Sequence, residues 1–271
     1  MKTKKFKEIK PVLSALLFIV IGTTLAVSCS KSDEGSDPVG PPVITAEVDN
    51  RTGTVTYHHS AENTLSTLEP GPDGEDVSWD FSQFKSATTT TVTVYGCPGN
   101  SNCSDFTAAN RLTLTAKGNV DQSFAYSIYT NSEMQRIGVK GISGSTQSKT
   151  VYSNPMTVVK YPISYGLSFE DSFEAQSTGI LAEKGTFKST VDAYSTLKTP
   201  MGTFNNTLRT KGELKFTTRT AAGTPLVVES VSYTWRSPDH GGTTLLLITF
   251  NTINTNGTIS RTRSLTYGEV K

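Results

Sequence analysis

The sequence predicts an all-β protein, an antiparallel β-sandwich or open barrel in a single domain, and three observations carry that expectation. From Val43 to the C-terminus, apolar residues recur at period two in segment after segment, the spacing of strands with unlike faces. Threonine occurs 42 times, and β-branched side chains fit a pleated sheet better than a helix. No 3.6-residue periodicity persists: Ser60–Leu65 and Ser104–Ala109 each amount to a turn or two. The composition excludes other classes. With 35% hydrophobic residues and 25 Lys+Arg against 24 Asp+Glu, the chain is too apolar for disorder and has no basic excess for nucleic acid. Three cysteines are too few to build a disulfide scaffold.

Residues 1–28 read as an address. Lys2, Lys4, Lys5, Lys7 and Lys10 precede the apolar run from Val12 to Val27, which is shorter than the about 20 residues that a spanning helix needs. The exit Leu25-Ala26-Val27-Ser28-Cys29 resembles a bacterial lipobox, with Ala26 where a larger aliphatic is usual. That resemblance implies cleavage before Cys29 and lipidation of its thiol. Residues 29–42, with Asp33, Glu34, Asp37, Pro38, Pro41 and Pro42, are too polar and too rich in breakers to pack, so they form a tether. An acidic cluster just after the lipidated cysteine resembles the export signal of surface lipoproteins of Bacteroidota, and implies an outer-membrane anchor facing the cell exterior. Residues 29–271 carry a net charge of −3, with 20 basic against 23 acidic side chains, so no strong field steers a charged partner.

The β domain is assigned to residues 43–271. Val43–Val48 and Thr54–Tyr57, separated by Asp49-Asn50-Arg51-Thr52-Gly53, read as a hairpin. Trp79, after the loop Pro70-Gly71-Pro72-Asp73-Gly74, reads as a core residue. Arg111–Ala116 alternates, with Leu112, Leu114 and Ala116 on the face taken as buried and Arg111, Thr113 and Thr115 on the face taken as wet. Phe124, Tyr126 and Ile128 share a face, as do Val231, Tyr233 and Trp235. Pro200-Met201-Gly202 is a tight turn between a strand ending near Lys198 and one starting at Thr203. Leu245–Phe250 is continuously apolar and reads as a strand buried on both faces. Asn256-Gly257 then closes a C-terminal hairpin, since both residues tolerate positive φ.

A series of short motifs runs through the middle of the chain: Trp79-Asp80-Phe81-Ser82, Ala109-Asn110, Tyr152-Ser153-Asn154-Pro155, Tyr161-Pro162-Ile163-Ser164-Tyr165-Gly166, Tyr194–Phe204 and Asn206-Thr207-Leu208-Arg209. In this order they resemble a family of secreted and surface β-rich lipoproteins of Bacteroidota. The resemblance covers roughly half the chain and implies location and fold, with no activity to carry over.

Candidate chemistry is sparse. Cys97 and Cys103 flank a five-residue turn and are spaced for a disulfide in an oxidising compartment, whereas a redox pair prefers C-x-x-C. His58 and His59, adjacent on a strand, point to opposite faces and do not make a metal site with the distant His240. Asp73, Glu75 and Asp76 are oxygen donors in one loop and are weak calcium candidates. Glu170 and Glu174 lie about 13 Å apart along one strand face, too far for a glycosidase pair. Gly141-Ile142-Ser143-Gly144-Ser145 lacks the closing glycine of a nucleophile elbow. No cofactor is implied. The reading is a lipid-anchored envelope protein with a non-catalytic binding or accessory role, its partners the membrane and a glycan or envelope protein. Trp79 and Trp235 would stack on sugar only if exposed. The alternative is a hydrolase of polysaccharide or peptide whose site is assembled from distant strands.

Overall fold

A computed structural model describes residues 40–270 apart from 62–63, 119–120, 179–182 and 221. The signal segment, Cys29 and most of the tether lie outside the described residues.

Twelve strands close into an antiparallel barrel. In chain order the first elements are β1 (Val43–Ile44), a four-residue helix α1 (Ala46–Asp49), β2 (Gly53–Ser60), β3 (Gly74–Asp80), β4 (Ser86–Gly96), β5 (Arg111–Lys117), β6 (Asp121–Tyr129) and β7 (Glu133–Ser143). They are followed by β8 (Thr146–Lys160), β9 (Ile163–Ser164), β10 (Ser168–Ser177), β11 (Glu183–Thr199) and β12 (Gly202–Arg219), then β13 (Pro225–Arg236), β14 (Thr244–Thr255) and β15 (Thr258–Glu269). Around the barrel the order is β2-β4-β5-β6-β7-β8-β10-β11-β12-β13-β14-β15, and β15 returns to β2 through pairs such as Thr266↔His59. The expected all-β antiparallel class is therefore present, and the barrel is closed rather than open. No helix among the described residues is long and apolar enough to cross a membrane.

Two elements stand outside the ring. Strand β3 runs parallel to the upper half of β11, with Leu197↔Trp79, where β11 extends beyond its partner β10. Strand β1 pairs with β9 and not with β2. This corrects the hairpin expected at residues 43–57. The Thr45 hydroxyl accepts from the Val48 amide and caps α1, and Ile44 and Asp49 are buried; the segment turns inward and seals one barrel end.

The wall is covered on both sides. Outside, Trp79, Phe81, Leu65 and Leu68 pack on Trp235, Leu246, Ile248 and Leu265. A second outer patch joins Phe106, Cys97 and Cys103 to Leu112, Phe124 and Tyr126. Cys97 and Cys103 are disulfide-bonded, with Cα atoms 5.6 Å apart. The leucine face of β5 thus packs outward under this loop, while Arg111, Thr113 and Thr115 point into the barrel and are also buried. That corrects the wet face assigned to them. Alternation reports two unlike faces and is silent on which one meets the barrel axis. The tight turns appear as expected: Thr199↔Gly202 brackets Pro200-Met201, and Asn256 and Gly257 adopt φ of 49° and 89° between Thr255 and Thr258.

Candidate functional site in the barrel lumen

Cross-strand register carries one row of lumenal residues around the barrel. Arg111 faces Ser127, Ser127 faces Arg136, and Arg136 faces Met156; on the opposite wall Arg236 faces Leu208 and Thr244. Residues directly opposite on neighbouring strands share a face, so three guanidinium groups converge near one end of the lumen. Each of the three residues is more than nine-tenths buried.

The inserted N-terminal segment meets this row. Arg111 Nη1 donates to the Asp49 carbonyl at 3.1 Å, and Arg236 Nη1 lies 3.7 Å from Asp49 Oδ1. Tyr161 donates its hydroxyl to the other Asp49 carboxylate oxygen, and Tyr129 donates to the Ala46 carbonyl while Arg111 stacks on its ring, 4.9 Å from the centroid. Burial, with the Asp49 charge second, holds the Tyr161 hydroxyl far above the usual range, so it stays a donor. Asp49 is thus one carboxylate among three arginines.

Donors are left over. Arg136 Nε and Nη1, Arg111 Nε and Nη2, and Arg236 Nε are buried without a hydrogen-bond partner. Burial, and after it the neighbouring Arg111, pulls the Arg136 guanidinium below its ordinary value. Arg136 and Arg236 line an internal cavity of about 70 Å³. The rest of its wall is largely apolar, with Val92, Met156, Val158, Phe187, Leu214 and Leu247, joined by Tyr57 and a set of hydroxyls; among the described residues no carboxylate, imidazole or thiol lines it. On the outside of the same end, a cleft of about 210 Å³ is lined by Asn50, Tyr95, Asn110, Tyr129 and Arg111. Arg111 therefore stands between the outer cleft and the inner cavity. An unpaired buried cation is costly and calls for a counter-group, so such a wall is chemically suited to holding an anion.

The residues singled out by sequence lie elsewhere. His58 stacks on Tyr267 and approaches Glu269 at 3.6 Å. His59 points into the lumen between the hydroxyls of Thr90 and Thr266, at 2.8 and 2.9 Å, and burial lowers its pKa to about 4. Among the described residues no three His, Cys, Asp or Glu side chains are placed to hold a metal, so the calcium candidates Asp73, Glu75 and Asp76 do not converge. Glu75 instead accepts from the Tyr194 hydroxyl at 3.3 Å. Glu174 pairs with Lys184 at 2.6 Å, and Asp171 accepts from the Thr157 amide at 2.7 Å. Trp79 and Trp235 are 2% and 0% exposed, which removes them as sugar platforms. The lumenal arginines escaped sequence reasoning. Their one signal is that Arg111 falls in phase with Thr113 and Thr115 inside a strand, which reads equally well as a wet face. The chain matches no protein-family model, no curated protein and no solved structure.

Proposed function

We propose that the protein is a lipid-anchored envelope protein that holds a small anionic ligand in its barrel lumen and does no chemistry on it. The observation that carries this reading is the internal cavity into which Arg136 and Arg236 present unpaired donors. Its wall supplies charge and hydroxyls but no side chain that would move a proton near neutral pH. Anchoring through Cys29 is supported by the signal segment and tether, and by the outer face of the barrel. There Glu170 faces Lys188, Glu174 faces Lys184 and Lys215 faces Glu229, all exposed. A lipid-facing barrel wears an apolar belt, so attachment falls to the N-terminal lipid and the domain stands in water.

Two experiments test the reading. Thermal unfolding of the full chain in a non-ionic detergent, at constant ionic strength, should rise with some small anions and remain unmoved by neutral isosteres. No shift with any anion sinks the lumenal site. Turnover of a polysaccharide or peptide substrate sinks the non-catalytic role. Cys29→Ala should abolish lipid attachment in intact-mass analysis and free the domain from the membrane or leave it on an uncleaved signal. Protease shaving of whole cells should digest the domain if the anchor faces outward.

A further inference from the structure

The lumenal cavity is built for a narrower class of ligand than anions in general. Its volume of about 70 Å³ is several times the about 10–15 Å³ that one water needs, room for one small anion. Its polarity is uneven. Charged donors come from Arg136 and Arg236, seven hydroxyl-bearing side chains, Tyr57 among them, add neutral ones, and Val92, Met156, Val158, Phe187, Leu214 and Leu247 form the apolar part of the wall. Phosphate or sulfate exposes oxygens in every direction, and those turned to the apolar part would lack a donor, at a cost in desolvation. A monocarboxylate of two or three carbons has the matching division: two oxygens on one side, a methyl or ethyl group on the other.

The donors also suit that shape. A carboxylate has two oxygens to share between two guanidinium groups, and Arg136 Nε and Nη1 and Arg236 Nε are all unpaired. The protein's own Asp49 already presents a carboxylate to the same row, 3.7 Å from Arg236 Nη1, and still leaves Arg136 without an anion. Arg111, lining the outer cleft and holding the Asp49 carbonyl, supplies a positive stepping point on the way in.

We infer that the lumen binds one short-chain monocarboxylate, of acetate to propionate size, with its carboxylate on Arg136 and Arg236 and its alkyl end against Val92, Val158 and Leu247. The inference rests on the lumenal-anion reading above and names the class of ligand for that site.

Titration calorimetry and ligand-observed NMR on the full chain in non-ionic detergent test it. The probes are sodium formate, acetate, propionate, butyrate and octanoate, with chloride, phosphate and acetamide alongside. Saturable one-to-one binding should peak at acetate or propionate and be absent for acetamide and octanoate. Arg136→Met removes an unpaired buried charge and is expected to fold; it should weaken acetate and propionate by about 10- to 100-fold. Val92→Ala deepens the apolar side and should move the preferred length up by one or two carbons while leaving the Arg136 dependence intact. Should chloride or phosphate bind as well as acetate, or should Val92→Ala leave the length preference unmoved, the carboxylate assignment falls while a lumenal anion site survives. If no anion binds, both readings fall together.

Discussion

Gly138 shows how closely single residues are constrained in this wall. A Cβ there would sit 1.9 Å from Phe106 Cε1, and Phe106 is held between the stacked Tyr126 ring at 4.3 Å and the Lys149 ammonium at 5.1 Å. Gly138→Ala should therefore cost about 1–3 kcal/mol, read as a lower urea midpoint, and Phe106→Leu in the same chain should return part of it. His59 gives a pH signature. Burial is the main cause of its low pKa of about 4, with the charges of Lys117 and His58 behind it. The unfolded chain takes up the proton near pH 6.5, before the folded one does. Stability due to His59 is thus complete above about pH 6.5 and is lost as the pH falls toward 4, by about 2 kcal/mol once partial exposure is allowed for. Denaturant midpoints between pH 4 and 7 should flatten in His59→Gln; an unchanged slope would refute the assignment.

At the scale of elements, one buried cation fixes the Pro70-Gly71 corner of the chain between β2 and β4. Arg209 on β12 makes a two-toothed bond to Asp192, at 2.8 and 3.0 Å, and donates to the carbonyls of Pro70 and Gly71. Its guanidinium lies 5.2 to 5.8 Å from the rings of Tyr233, Trp79 and Trp235. Trp79 Nε1 adds a bond to the Pro72 carbonyl. Asp192→Ala strands that charge and should cost about 3 kcal/mol. Because Arg209 holds the Pro70 and Gly71 carbonyls, limited proteolysis within residues 69–73 should precede global unfolding in the variant and not in the wild type. The sequence had marked both ends of this device, Trp79 as core and Asn206-Thr207-Leu208-Arg209 as a motif, without joining them. Their separation along the chain hides a contact that only the docking of β3 beside β11 creates. Local devices fared better: Pro200-Met201 and Asn256-Gly257 were legible because a tight turn is written within four residues.

For the whole molecule, the inserted N-terminal segment and the barrel form one electrostatic unit. Asp49 is fully buried, with its carboxylate 3.7 Å from Arg236 Nη1 and its main-chain carbonyl accepting from Arg111. Asp49→Ala should lower stability by about 3–5 kcal/mol by leaving buried cations unpaired, and formate should restore part of the loss in thermal unfolding while a neutral amide should not. A variant that unfolds no more easily than the wild type would show that the segment is a passive lid. The sequence by itself determined the strand content, the tight turns, the burial of Trp79 and the expectation of a lipid anchor, since each is encoded in neighbours or in a simple period. Only the tertiary structure decided that the barrel closes, that Leu112 and Leu114 face outward under the disulfide loop, and that Arg111, Arg136 and Arg236 meet inside with Asp49. Period-two alternation fixes that a strand has two faces; which one becomes the interior depends on how twelve strands pair around the ring and on which loops cover the outside.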